Sequence, residues 1–327
     1  MGTAIGTGAT VAPPKPTLEP APFPGRRVRR RTRLVVLPYV LITPAILVIV
    51  GILAYPLGML GWLSFQHYGL RELIAHQGEW VGLRNYTTLF QDPTFQHVIV
   101  VSLLFTAANV GLTIGLSTLI ALLLERVSTW VRILLGSGLV FVWATPVIVA
   151  IDVWQWMFDY EFGIVNYALT RLGAGNFIHH NWFEDPLQGF TVITVVVVWG
   201  AIPFVTITLF AALTQVPSDI LEAAEVDGAN AWQIFWQVTA PMLKPIFLIV
   251  TCLSTIWDFQ VFNQVYVLLN QRPSSSYFTI AVYSYRESFG VTQYGLGASI
   301  AVVMVLVLVF VTFFYVRQTI QTAEIAT

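Results

Sequence analysis

Charge is scarce in this sequence. Asp, Glu, Lys and Arg together account for 33 of 327 residues, 10%, against about a quarter in a soluble globular domain. Only two of the 33 are lysines, Lys15 and Lys244, and no GxxxxGK[ST] phosphate loop occurs, so the chain cannot bind and hydrolyse ATP by itself. The single cysteine, Cys252, excludes an intrachain disulfide and a Cys-based zinc site. HExxH is absent, which leaves no zincin-type metalloprotease. Apolar residues are abundant instead: 56% of the chain, with a mean hydropathy of +0.74. The charges cluster between long uncharged runs, so the runs read as bilayer spans of an all-α membrane protein.

The first 33 residues are rich in Pro, Gly and Thr and end in a basic cluster, Arg26, Arg27, Arg29, Arg30, Arg31 and Arg33. They read as a disordered basic cytoplasmic tail, residues 1–33. The run after Arg33 has no charge until Arg71, too long for a cleaved signal peptide, so it is expected to span and stay. Six segments are long enough to cross about 30 Å of hydrocarbon: 35–63, 98–124, 133–157, 190–213, 246–268 and 296–316. With the N-terminus inside, eleven Lys and Arg fall on the cytoplasmic side and five (Arg71, Arg84, Arg171, Arg272, Arg286) outside. Both termini are then cytoplasmic, and residues 318–327 form a short tail. The arginine cluster is thus a topology signal, and nucleic acid is not expected as a partner; membrane lipid is. His67, His76, His97, His179 and His180 all fall at or beyond the outer edge without ligand spacing, so no metal site is expected. Asp152, beside Trp154 and Trp156, is expected near the outer interface.

The inner loop between spans four and five breaks the positive-inside pattern. It carries Asp219, Glu222, Glu225 and Asp227 against Lys244 alone. Pro217 and Ser218 signal a helix start, Gly228 permits the φ > 0 turn that ends it, and Ala229 to Val238 can form a second helix before Pro241 and Pro245 break the chain. A helix lying on anionic lipid would present a basic face. Acidity favours a protein partner.

Glu222-Ala223-Ala224, three residues, Gly228, nine residues, then Val238, Thr239, Ala240 and Pro241 resemble the EAA loop of binding-protein-dependent ABC importer permeases. Further stretches resemble the carbohydrate-importing, maltose-permease-like branch: Tyr55-Pro56, Val81-Gly82-Leu83-Arg84-Asn85-Tyr86, Trp154 to Phe158, Phe162-Gly163-Ile164-Val165-Asn166 and Trp257-Asp258-Phe259. The resemblance spans residues 34–317, which it implies are one transmembrane domain with the EAA coupling loop at about 215–245. One departure is visible: where the family often has a Gly-Gly-Pro turn after span five, this chain has Asn270-Gln271-Arg272-Pro273.

The resemblance implies a multi-pass permease subunit of the bacterial inner membrane and no enzyme. It would import a di- or oligosaccharide delivered by an extracellular sugar-binding protein, with a second permease subunit as heterodimer partner. ATP would be bound by a separate dimer of ATPase subunits, with no cofactor on this chain. Glu222, Ala223, Ala224, Asp227, Gly228 and Pro241 are the implied ATPase-coupling residues. Gly200, Phe204, Ser254, Trp257 and Asp258 are the implied substrate path. Asp258 also stands out on its own: about 14 residues past Lys244, or roughly 21 Å of helix, it lies well inside the membrane, where a carboxylate costs about 2.5–3.5 kcal/mol. It must face a wet cavity, a partner or a solute, or else hydrogen-bond another span or the partner permease as a structural strut. Two other readings stay open, an ABC permease for a non-sugar solute and an autonomous carrier. The second would show paired midspan Gly/Pro breaks, and no convincing pair is seen.

Overall fold

The structure, a computed structural model, describes Gly2 and residues 32–325. Arg26 to Arg31, and with them most of the expected tail, lie outside the described residues. The chain divides into two units, residues 1–55 and 56–327. In the first, α1 (Thr32–Ile49) runs into a wide π-helical turn, Val50–Ala54. Every side chain from Pro38 to Tyr55 is exposed. A helix apolar all round is stable only in lipid or against another protein.

The second unit opens within α2 (Tyr55–Ser64). A small hairpin-like element follows, with β1 (Gln66–His67) and β2 (Glu79–Trp80) antiparallel on either side of α3 (Leu70–Ala75). Then come α4 (Arg84–Gln91), α5 (Pro93–Arg126), α6 (Thr129–Ala144), α7 (Val147–Met157), α8 (Ile164–Arg171) and α9 (Pro186–Leu213). The segment after α9 holds α10 (Ser218–Val226), α11 (Ala231–Ile234) and α12 (Ala240–Met242), and the chain closes with α13 (Lys244–Phe259), α14 (Asn263–Leu268), α15 (Ile280–Tyr285) and α16 (Tyr294–Ile325).

Among the described residues, four helices are long and apolar enough to cross a membrane: Pro38–Ser64, Pro93–Arg126, Pro186–Leu213 and Tyr294–Gln321. They cover the expected first, second, fourth and sixth spans. The last helix continues to Ile325, through most of the segment expected as a tail. The third and fifth spans are not the continuous helices expected. The third bends by 100° between α6 and α7, at Thr145-Pro146, because proline lacks the N–H that would continue the ladder and disfavours helical backbone at the residue before it. The fifth ends at Phe259. Its 16 residues in α13 reach about 24 Å, short of the hydrocarbon thickness, and the non-helical stretch 260–262 separates it from α14. The chain thus holds midspan breaks that the sequence alone had not suggested.

α5, α9 and α13 form the centre. One apolar cluster joins Phe95, Phe105, Ile193, Val196 and Phe259; another joins Ala121, Val205, Leu209, Leu243 and Val250. The same three helices also carry a belt of buried polar side chains: Thr106, Asn109, Thr113, Thr206, Ser254 and Asp258.

Two of the family-like stretches act as staples. The Asn85 amide donates to the Ser64 and Gln66 carbonyls (2.9 and 2.8 Å), and the Tyr86 hydroxyl donates to Ser64 Oγ (2.7 Å), which fixes α4 against the end of α2. Asn166 donates to the Asp159 and His180 carbonyls and accepts from Trp182 Nε1 at 2.6 Å.

Candidate functional site

Both broken spans end on one cavity of about 440 Å³. Trp143 and Thr145 reach it from the α6–α7 bend, Gly200 and Phe204 from α9, and Ser254, Trp257 and Asp258 from α13; Gln260, Asn263 and Gln264 follow from the second break. The five residues expected to line the path, Gly200, Phe204, Ser254, Trp257 and Asp258, therefore share a single cavity. Irregular backbone inside a bilayer is tolerated where it lines such a space.

Each wall has a physical origin. Ser254 and Asp258 are four residues apart on α13, hence on one face. Phe204 meets Trp257 edge-to-face, ring centroids 5.2 Å apart, which leaves Trp257 44% exposed with part of its ring free. A Cβ placed on Gly200 would meet nothing within 4 Å, so this glycine widens the cavity. Asp258 is only 4% exposed, and its Oδ2 has no hydrogen-bond partner among the described residues; the same holds for Ser254 Oγ. An unpaired buried polar group costs about 1–3 kcal/mol. Among the described residues, no donor on a neighbouring helix holds Asp258 Oδ2.

The belt extends beyond these five residues. Thr106 Oγ1, Asn109 Oδ1, Thr113 Oγ1 and Thr206 Oγ1 are also buried without partners among the described residues, and all four were missed in the sequence. The signal of the first three was legible: Ser102, Thr106, Asn109, Thr113 and Ser117 recur every three or four residues along the otherwise apolar α5, a polar stripe on one face.

The second group of expected residues lies on the segment between α9 and α13. Pro217 precedes the first turn of α10, Asp219 sits in that turn, and Glu222 and Ala223 point outward on the same helix. Gly228 has φ +83°. Its N–H donates to the Glu225 carbonyl and that of Ala229 to the Ala224 carbonyl, the Schellman ending that calls for a left-handed residue. The following helix begins later than expected, at Ala231. Its start is fixed by a capping box between Asn230 and Gln233 (3.0 and 2.9 Å), legible in the sequence as N-x-x-Q but not read there. Pro241 does not break it. Proline at the second position of α12 lets the helical path run through a π-helical turn, Phe235–Thr239, to Met242, and the 76° bend falls at Leu243 before Lys244-Pro245.

None of Asp219, Glu222, Glu225 or Asp227 forms an ion pair among the described residues. Alongside them Val226 is 88% and Trp232 70% exposed. Acidic groups and bare apolar surface thus lie side by side on this segment. Behind it, Leu221, Ile234 and Phe235 share a cavity of about 410 Å³ with Leu122 at the end of α5 and Leu213 at the end of α9. Arg132 ties the same end of α5 down, donating to the Leu124 and Glu125 carbonyls (2.8 and 3.1 Å) in the favourable polarity for a helix C-terminus.

The family model described as binding-protein-dependent transport system inner membrane component matches residues 114–321. The diacetylchitobiose uptake system permease protein DasB of Streptomyces coelicolor is 40% identical over 92% of this chain and 92% of its own. The trehalose/maltose transport system permease protein MalF of Thermococcus litoralis is 29% identical over 85% and 92%. Among solved structures, a chain of a bacterial ABC transporter involved in the import of the acidic polysaccharide alginate superimposes with a TM-score of 0.74 at 20% identity, covering 88% of this chain and 96% of that one.

Proposed function

The chain belongs to the family of binding-protein-dependent transport system inner membrane components, and from that membership we propose that it is the permease subunit of a bacterial importer for a di- or oligosaccharide. An extracellular binding protein delivers the sugar. A dimer of separate ATPase subunits supplies the energy, and a second permease subunit completes the path. Six crossings with both termini in the cytoplasm put the segment from Gln215 to Pro245 on the ATPase side.

The observation that carries this reading is the cavity at which both broken spans end. It combines the free part of the Trp257 ring, an unpaired carboxylate at Asp258, the Ser254 hydroxyl and the amides of Gln260, Asn263 and Gln264. A sugar offers apolar C–H faces to an indole and hydroxyls to carboxylate and amide groups. Sugar-importing relatives at 40% and 29% identity support the same substrate class.

The steps assigned to this chain are mechanical. Glu222 and its acidic neighbours engage basic groups of the ATPase, while Val226 and Trp232 fill apolar contacts there. Closure of the ATPase dimer moves α10 and α11, which share a cavity with Leu122 of α5 and Leu213 of α9, and α9 carries the movement on to Gly200 and Phe204 in the Asp258 cavity. The coupling requires differential contacts in the two states, which the exposed acidic and apolar groups of this segment make with the ATPase.

The test is ATPase activity of the reconstituted complex with its binding protein, across diacetylchitobiose, trehalose, maltose and non-sugar solutes. Stimulation by one or more of the carbohydrates is expected. Stimulation by a non-sugar solute alone would transfer the permease to the alternative substrate class.

A further inference from the structure

Beyond Ile151, α7 leaves the Asp258 cavity and reaches a second one of about 480 Å³. α14 does the same from the other side: Asn263 and Gln264 face the first cavity, Leu268 and the following Asn270 the second. The two cavities therefore lie in series along the same pair of helices. On the proposed topology the second is the outer one.

Its lining has the chemistry of the first. Asp152, Gln155 and Trp156 are spaced i, i+3, i+4 on α7 and share a face. The Asp152 carboxylate has no partner among the described residues, and Trp156 is 58% exposed with no ring stacked on it. Across the cavity, Gln155 Nε2 donates to Asn270 Oδ1 at 2.7 Å. Asn270 stands in the turn that follows α14. Its backbone needs only what glycine provides: φ is +53°, its N–H donates to Val267, and that of Gln271 to Tyr266, the same ending that Gly228 gives α10. Gln271 adds a second positive φ, +59°. The side-chain amide is thus surplus to the cap, and it is the amide that reaches into the cavity. A volume of this size lies within the range of small-molecule pockets, about 300–1,000 Å³.

The geometry points to a second carbohydrate station outward of Asp258, in which Asn270 and Gln155 hydrogen-bond sugar hydroxyls, Asp152 accepts from another, and Trp156 supplies the stacking face. The station rests on the carbohydrate reading above. It receives the sugar after release from the binding protein and before passage to the inner cavity, and sugar hydroxyls compete for the Gln155–Asn270 bond that joins α7 to α14.

The test uses the complete complex in proteoliposomes, with labelled diacetylchitobiose, trehalose and maltose as probes. Asn270→Gly keeps the left-handed turn and removes only the amide; Trp156→Ala removes the stacking face and Trp156→Phe keeps one. Uptake is expected to fall about 3- to 10-fold for Asn270→Gly and Trp156→Ala, to recover in Trp156→Phe, and to do so at normal complex yield. The affinity of sugar-free binding protein for the complex should stay unchanged. Unchanged uptake in both variants overturns the station alone. An equal loss of affinity for sugar-free binding protein also overturns it, by making the cavity a protein-docking contact. Failure of the unaltered complex to carry any of the three sugars removes the station together with the carbohydrate reading.

Discussion

Asp258 is the residue on which the proposed chemistry turns, and its surroundings within this chain bear on whether it serves the solute or ties helices together. A strut would be recognised by a donor on a neighbouring helix. Instead one carboxylate oxygen is buried without a partner among the described residues, and Asp258 and Ser254 line the same cavity. Replacing Asp258 by Asn removes the charge and keeps the shape, so the thermal midpoint and yield of the purified complex are expected to hold or rise. Loss of a strut hydrogen bond to a charged group would instead cost about 1.5–3 kcal/mol. A lower midpoint for Asp258→Asn in a thermal shift measurement would restore the strut. Asp258 was legible from hydropathy alone, because a carboxylate in an apolar run has few explanations. Asn109 and Thr113 were not singled out, since threonine and asparagine lower hydropathy too little to interrupt a span, and only their spacing along α5 betrays them.

At the scale of elements, the long helices were legible and the breaks were not. Continuous apolar runs define α5, α9 and α16 well, but hydropathy is blind to direction, and a run that turns by 100° at Pro146 reads the same as a straight one. The residue before a proline was the available signal. The first helix and the turn of the segment 217–243 were legible because their punctuation is local, with Pro217, Asp219 and Gly228 all acting within a few residues, whereas the start of the second helix at Ala231 and its passage through Pro241 were not. Gly228→Val places a β-branched side chain at φ +83°, at a cost of about 1–2 kcal/mol, and reorients α10 against α11. Sugar-stimulated ATPase activity is expected to be lost while the chain still inserts. Asn230→Ala, which removes only the capping box, should cost about 1 kcal/mol and lower the coupling in part. Full stimulation in Gly228→Val would show that the turn does not set the docking geometry.

For the whole molecule, the proposed orientation rests on the arginine and lysine bias, and the roles of both ends depend on it. Reporter fusions at Thr10 and after Thr327 are expected to read cytoplasmic and one at Gly173 extracytoplasmic; an extracytoplasmic signal at either terminus would reverse which end meets the ATPase. The apolar surface that α1 and much of α6 expose is consistent with a chain that completes itself only in lipid and with partner subunits. Transport by such an assembly is most directly tested by ATP-dependent accumulation of labelled diacetylchitobiose in proteoliposomes holding the complex, the unaltered chain beside Asp258→Ala at matched reconstituted amounts. With the ATPase and the binding protein both present, accumulation is expected in the unaltered complex and a drop of about tenfold or more in the variant. Equal accumulation in the two at equal complex yield would contradict a sugar path through the Asp258 cavity.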